Sequence, residues 1–263
     1  MPGTHFDYNY LHHPKADVLA SARDIILPFE KYKITAGAKV SFTNTRNGIN
    51  YDTSDPTLVQ DDYFRYKEQI YALYADYSRE YSERFSMQLG LRMEHTRTTG
   101  ISEAKDTEDK HDYTRLFPTV YLLYSPTDGH ALNFSFSNRI SRPSQNMVNP
   151  FPFYQNKYTY ACGVEDLKPS YSFNAELGYT LKNNFNVSAY YSYSDDVFFQ
   201  VVDLDAETNV TSFLWENFMK THAFGLNNSY TFRTKWLQAY AQHGVSYRRT
   251  TSSAVSTSSE EKG

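Results

Sequence analysis

The segment RFSMQLGLRMEHTR, residues 84–97, places an arginine and a glutamate on one side of an alternating pattern. Every second residue from Phe85 to Met93 is apolar, whereas Arg92 and Glu94 belong to the intervening polar series. Alternate residues of a β-strand point to opposite faces, so the pattern predicts a strand with one apolar and one charged face. Such charges can bind a ligand or partner domain in a wet interior, or pair across strands and only solvate the wall.

Residue combinations typical of catalytic or metal sites are missing from the sequence. Neighbouring His12 and His13 would point to opposite faces of a strand, which suits no shared ion. The carboxylate pairs Asp61–Asp62 and Asp195–Asp196 are predicted to fall at strand ends or in polar loops. The single cysteine, Cys162, can form neither an internal disulfide nor a multi-cysteine metal site. With no hydrolase, P-loop or dinucleotide fingerprint either, we expect no catalytic residue, no cofactor and no metal.

Composition favours β structure and gives no reason to expect a nucleic-acid partner. The 263 residues include 24 Tyr and 18 Phe, residue types enriched in strands, and the mean hydropathy is −0.64. The net charge of −4, without a basic block, argues against nucleic acid. No apolar run approaches the roughly 18 residues of a membrane-spanning helix. The start, MPGTHFDYNY, lacks the basic and apolar regions of a secretory signal peptide.

The alternating pattern recurs along the chain and predicts about ten strands. Clear examples are residues 34–42, 71–77, 85–93, 132–136, 171–181, 185–193 and 224–232. Many runs reach about 10 residues, which in a tilted strand spans about 25 Å, the height of the apolar band of a membrane barrel. Long polar connections at residues 44–62, 95–112 and 139–169 alternate with tight turns, as in outer-membrane barrels. The fold class is therefore all-β: an antiparallel up-and-down transmembrane β-barrel segment.

The order of five segments resembles the barrel portion of TonB-dependent outer-membrane receptors, specifically the outer-membrane β-barrel family. They are YKEQIYALYADYS, FSMQLGLRMEHT, LFPTVYLLYSP, LNFSFSNRISRPSQNMVNPF and GVEDLKPSYSFNAELGYT, and the likeness extends from about Ile26 to Tyr247. One departure is Gly163-Val164-Glu165-Asp166, which stands where the family usually has Gly-Asn-Pro before its Leu-x-Pro. We expect a local rearrangement of that loop.

The resemblance implies the barrel wall of a receptor for active uptake of a nutrient (siderophore, vitamin, glycan or peptide) across the outer membrane of a Gram-negative bacterium. Such receptors resemble one another in having about 22 strands, a signal peptide, a plug domain and a TonB-contacting segment. Because the chain shows only about ten to eleven strands and none of the other parts, we expect a fragment. Residues 1–250 would be a partial barrel domain and 251–263 a polar tail. The implied partners are outer-membrane lipid, the missing plug and strands, the TonB complex acting through the plug, and the nutrient.

In such a barrel the polar faces and rim loops supply the site candidates. The lumen-facing candidates are Glu68, Arg92, Glu94 and Glu176, and the extracellular-rim ligand candidates are Arg139, Arg142, Phe151, Phe153, Tyr154 and Tyr158. The lumen charges would hold the plug or line the substrate path, or only solvate the wall. The loop aromatics would stack on a ligand or pack against neighbouring loops. The acidic loops 52–62 and 103–112 could capture a cationic or metal-chelate ligand, although solubility explains them better.

Two other functional classes stay open on the sequence alone. A small self-closed barrel of about ten strands would act as a passive pore or adhesion scaffold, and would give a closed, heat-modifiable monomer in detergent. A soluble β-sandwich binding protein would be monomeric without detergent. The alternation of long and short connections favours the receptor interpretation over both.

Overall fold

A computed structural model describes residues 9–52, 62–103, 106–156 and 158–252, which form one twelve-stranded sheet. Its strands are β1 Asn9–Pro28, β2 Lys33–Asp52, β3 Asp62–Ser82, β4 Phe85–Ser102, β5 Thr107–Tyr124, β6 His130–Ser141, β7 Phe153–Asn156, β8 Thr159–Ala161, β9 Ser170–Leu181, β10 Phe185–Asp205, β11 Val210–Arg233 and β12 Gln238–Ser252. A single helical turn, α1, covers Gln145–Val148. Among the described residues, no helix has the length and apolar content to cross a membrane.

The long strands form an antiparallel meander in which chain neighbours are sheet neighbours. The order is β1-β2-β3-β4-β5-β6-β9-β10-β11, with β12 also pairing with β11. Strands β7 and β8 belong to the connection 142–169 between β6 and β9. In the described part of the chain β1 and β12 lie at opposite ends of the sheet and do not pair, so the sheet is open. We call the end with the tight connections the turn end and the end with the connection 142–169 the loop end.

The two faces of the sheet differ in chemistry. Leu73 of β3, Met93 of β4 and Leu116 of β5 lie opposite one another, and each side chain is at least 42% exposed. We call the face that carries this row the apolar face. The alternation predicted from Phe85 onward is confirmed in β4, which begins at that residue. The connection 142–169 crosses the other face, which we call the loop-covered face.

Aromatic side chains concentrate at two levels of the apolar face. Near the turn end, Phe85 contacts Tyr81 and Tyr124, with ring centroids 5.4 and 6.5 Å apart. Nearer the loop end, Tyr71 packs edge-on against Phe42 at 5.8 Å, and Tyr191 of β10 packs against Phe224 of β11 at 4.8 Å. Two aromatic belts that enclose an apolar band are typical of a β-sheet wall crossing a lipid bilayer.

The strands extend beyond this band, which corrects the predicted loop lengths. Residues 95–112 were expected to form a loop, yet β4 continues to Ser102 and β5 begins at Thr107. Their polar composition suggested a loop, but Thr96 and Ser102 are buried on the loop-covered face, at 0% and 1% exposure. A hairpin pairs its own backbone groups, so it can continue into water with polar side chains on both faces.

Candidate functional site

The connection 142–169 is attached at its first residue to the loop-covered face. Arg142 Nη2 donates to Glu94 Oε2 at 2.5 Å and to Thr96 Oγ1 at 3.2 Å, both on β4. Its Nε lies 3.8 Å from Glu68 Oε2 on β3. Arg92 Nε donates to the other oxygen of Glu94, Oε1, at 2.6 Å. Two guanidinium groups and two carboxylates therefore meet here, and we call these four residues the arginine clamp.

The clamp is largely shielded from water. The side chains of Glu94 and Arg142 are 10% and 21% exposed. Burial acts to lower the pKa of Arg142, but the hydrogen bond to Glu94 and the neighbouring Tyr113 outweigh burial and raise the pKa above the usual value for arginine. Arg142 is therefore a fixed positive charge, and charge-assisted bonds of this kind are among the stronger ones in proteins.

The other end of the connection is attached to the loop-end part of β5. Thr107 Oγ1 donates to Glu165 Oε1 at 2.8 Å, and the ring Nε2 of His111 lies 3.3 Å from the carbonyl oxygen of Glu165. Below these contacts Val148 and Leu167 pack on Phe64 of β3 in a small buried cluster. The partly buried side chains that complete the cluster are Tyr66, Met147, Phe198 and Trp215.

The middle of the connection adds a strand to the loop end of β11. Strand β8 pairs with β11 in parallel over Thr159–Ala161 and Thr211–Phe213. The N–H of Thr211 donates to the carbonyl of Tyr158 at 2.7 Å, and the N–H of Cys162 donates to the carbonyl of Phe213 at 3.0 Å. This edge of β11 is available because β12 pairs only with Met219–Arg233.

A cavity of about 380 Å³ lies between the connection and the loop-end halves of β3 and β5. Its lining includes Glu68, Arg142 and Leu167 from the regions already described, together with Arg115 and Lys168. Arg115 lies over the ring of Tyr171, with its Cζ 4.9 Å from the ring centroid. Among the described residues, neither Arg115 nor Lys168 has a carboxylate within 4.0 Å. The same lining also contains the carboxylates of Asp109, Asp112, Glu165 and Asp196, so the cavity carries charges of both signs.

The structure brings some of the predicted residues together and separates others. Glu68, Arg92, Glu94 and Arg142 form the clamp, and Arg139 lines a shallow depression beside Arg92 and Glu94. Glu176 lies in β9 opposite Ser135 and Tyr190, away from the clamp.

The four predicted loop aromatics do not line the 380 Å³ cavity. Phe151 is 6% exposed, whereas Tyr158 is 55% exposed. Phe153 belongs to β7 with Tyr154, and the ring of Tyr154 packs 5.5 Å from that of Tyr160. Burial, with the nearby Tyr160, raises the pKa of Tyr154. Stacking of these aromatics on a ligand stays a prediction.

Sequence reasoning missed the other attachment residues, Thr96, Thr107, His111 and Glu165. All of them fall in segments interpreted as loops, and only the alternation of small and long polar side chains in HTRTTGIS could have identified a strand there. Some predicted candidates cannot be placed, because the side chains of His12 and His13 and most of the acidic loop 52–62 lie outside the described residues. In the part of the chain that is described, no three His, Cys, Asp or Glu side chains are arranged to hold a metal ion.

An open antiparallel sheet with one belted apolar face and one polar face defines a segment of an outer-membrane β-barrel wall. The chain belongs to the outer membrane protein beta-barrel family, which it matches over residues 5–262. No curated protein matches it significantly. The apolar face therefore contacts outer-membrane lipid, the loop end lies outside the cell, and the loop-covered face lines the barrel lumen.

Solved structures similar to the chain are TonB-dependent receptor barrels of Gram-negative outer membranes. The copper transporter OprC matches with a TM-score of 0.67 and 12% identity, covering 92% of this chain and 39% of OprC. The ferric citrate transporter FecA gives 0.61 and 13%, with coverage of 92% and 37%. The ferric yersiniabactin uptake receptor FyuA from Yersinia pestis gives 0.56 and 17%, with coverage of 95% and 38%. The chain spans under two-fifths of each of these proteins.

Proposed function

We propose that this chain forms part of the barrel wall of a TonB-dependent receptor that imports a nutrient across the outer membrane. The main support is the connection 142–169, which is attached at both ends to the lumen face and covers a cavity of about 380 Å³. A cavity of this size at the extracellular end of a barrel, lined by apolar and charged side chains together, suits first contact with a small ligand. The clamp and the contacts of Glu165 position the cover of that cavity.

The proposed partners follow from the share of a receptor that the chain represents. It spans 37–39% of the three receptor structures described above. We therefore assign a plug domain, further barrel strands and contact with a TonB complex to the rest of such a receptor. In this arrangement Glu176 and the clamp residues face the plug or the substrate path.

The cavity lining offers two cations, without an ion-pair partner among the described residues, to anionic groups of a ligand, and its carboxylates offer contacts to cationic groups. Arg115 and Lys168 are both exposed at the cavity, and Arg115 is held against the Tyr171 ring. A guanidinium held in place in this way binds carboxylate or phosphate oxygens with little further loss of side-chain freedom. We propose a metal chelate, vitamin, glycan or peptide as the nutrient, with any carboxylate or phosphate groups of that nutrient contacting Arg115 and Lys168.

The alternative of a small self-closed pore has no specific observation in its favour. It requires β12 to pair with β1, whereas these strands are at opposite ends of the described sheet.

Uptake assays on cells that carry the complete gene test the proposal. The probes for uptake are ⁵⁵Fe as citrate, catecholate and hydroxamate chelates, ⁶⁴Cu and ⁵⁷Co-cobalamin. Each probe is measured with and without a protonophore. Growth on glycans or peptides as sole nutrient is measured separately. We expect the gene to be required for one nutrient and the protonophore to abolish accumulation of a matching probe. Gene-dependent uptake that continues under the protonophore and falls only with solute size would show a passive pore instead.

A further inference from the structure

Three basic side chains lie directly opposite one another on the outer face of β1, β2 and β3. Lys15 pairs with Arg46, and Arg46 pairs with Arg65. Arg46 belongs to the alternating series of β2 that contains Phe42, and Arg65 to the series of β3 that contains Tyr71, so the row lies on the lipid-facing side. We call Lys15, Arg46 and Arg65 the basic row, and all three side chains are exposed.

The basic row is electrostatically unfavourable for the chain alone. Like charges directly opposite each other on neighbouring strands, with Cβ atoms about 5 Å apart, destabilise a sheet. Of the carboxylates that the structure describes, none lies within 4.0 Å of these three residues, Asp17 on β1 included. On β4 and β5 of the same face, by contrast, Arg97 pairs with Asp112 at 2.8 Å. An external anion would relieve the repulsion in the row.

The height of the row relative to the bilayer indicates the source of that anion. Lys15 lies four residues beyond Leu19, and Arg46 lies four residues beyond Phe42, in the loop-end direction. Four residues of a strand tilted by about 40° rise roughly 10 Å. The row therefore lies in the headgroup layer of the outer leaflet, just above the aromatic belt. This face stays outward however the sheet closes, so neither a plug nor the connection 142–169 can cover it.

We propose that the basic row binds the phosphate groups of an outer-leaflet glycolipid headgroup. Arginine forms paired hydrogen bonds to phosphate oxygens, and lysine adds a point charge. Lys67, on the same face two residues nearer the apolar band, adds a fourth exposed cation. A line of cations across three strands matches a headgroup with more than one phosphate better than a zwitterionic headgroup. This inference rests on the outer-membrane location of the chain and not on the proposed uptake.

The test compares binding of diphosphorylated and dephosphorylated lipid A to the complete gene product in detergent, measured by native mass spectrometry. The row variant carries Lys15→Gln, Arg46→Gln and Arg65→Gln. The matched control carries Lys31→Gln, Lys33→Gln and Lys235→Gln, which remove the same charge near the turn end. We expect the row variant to bind diphosphorylated lipid A on the order of a hundredfold more weakly than the unchanged protein does. Each of the three lost cations should lower the affinity about fivefold, and the three factors multiply. The control should bind it as the unchanged protein does.

Folding of the variant is checked separately in lipid-A-free detergent by heat-modifiable migration. The row variant should be at least as heat-resistant as the unchanged protein, because the substitutions remove like-charge repulsion. Should the triple variant fail to fold, Arg46→Gln alone, at the centre of the row, is expected to weaken binding about fivefold. Three results would each overturn the proposal. The row variant could bind diphosphorylated lipid A as tightly as the unchanged protein does, or the control could lose as much affinity as the row variant. The unchanged protein could also bind diphosphorylated and dephosphorylated lipid A equally well. The last result would mean that other groups neutralise the row.

Discussion

At the scale of single residues, Arg142 determines where the long connection begins. It hydrogen-bonds to Glu94 on β4 and lies near Glu68 on β3, so one side chain ties the connection to two wall strands. Glu94 in turn is held by Arg92. A charge network of this kind is stable only while its members remain paired, since a buried charge left alone is costly.

Replacing Arg142 by alanine should release the start of the connection without unfolding the wall. The substitution leaves Glu94, at 10% side-chain exposure, with only Arg92 as a partner, and the local cost should be about 3 kcal/mol. Hydrogen–deuterium exchange should speed up in peptides covering residues 142–150 while β9 and β10 stay protected. Arg139→Ala is the control, because Arg139 is exposed and three residues away on β6. Unchanged exchange in Arg142→Ala would show that Glu165 and the buried cluster hold the connection by themselves.

The sequence predicted each of the four clamp residues as a site candidate, but it did not predict that they contact one another. Alternation assigned Arg92 and Glu94 to a polar face, and the resemblance brought out Arg142 as a rim residue. Glu94 and Arg142 are 48 residues apart, and no periodic signal specifies which way an irregular connection folds back. The contact therefore depends on packing of Val148 and Leu167 against Phe64, which only the three-dimensional structure reveals.

At the scale of strands, one lumen-facing glycine accommodates a large neighbour. Gly225 of β11 lies opposite Tyr190 of β10, and the Tyr190 ring folds over the glycine so closely that a Cβ at position 225 would overlap it. Gly225→Ala should therefore lower the free energy of unfolding by about 1–3 kcal/mol. Urea denaturation in detergent measures the change. The double variant Gly225→Ala with Tyr190→Ala removes the overlap and should unfold at a higher urea concentration than Gly225→Ala alone.

The pairing of β8 with β11 can be tested without disturbing the main sheet. The N–H of Thr211 points to β8, so the N–H of Ser212 points to β10, since successive groups point to opposite edges. Thr211→Pro should lower the free energy of pairing between β8 and β11 by about 1 kcal/mol, because one backbone hydrogen bond is lost. Hydrogen–deuterium exchange at residues 158–162 should therefore speed up. Ser212→Pro is the contrasting control and should also speed up exchange in β10. Equal effects of the two substitutions on β10 would contradict the register.

The predicted strands were right in type and too short in extent. Alternation identifies a strand while one face is apolar, as from Phe185 to Tyr193, but β10 continues to Asp205. Beyond the bilayer both faces of a hairpin are wet, so the pattern fades although the backbone pairing does not. The short strands β7 and β8 had no signal at all, because three or four residues are too few for a period.

At the scale of the whole molecule, the open edges of β1 and β12 determine how the chain behaves alone. Unpaired backbone groups cost several kcal/mol each in lipid, so residues 1–263 expressed alone should not form a heat-modifiable monomer in detergent. Exchange should be fast in β1 and β12 and slow in β4 and β5. A closed monomer in which engineered cysteines on β1 and β12 cross-link would instead support the self-closed barrel.

The parallel pairing of β8 with β11 also orders events during assembly of the wall. Strand β8 precedes β9 and β10 in the chain, yet its partner edge exists only once β11 has joined the sheet. Docking of the connection is therefore a late step, delayed by the closure of a long loop. Until then its aromatic residues are exposed to water, so slow insertion of the C-terminal strands prolongs the interval in which this segment can associate with other chains.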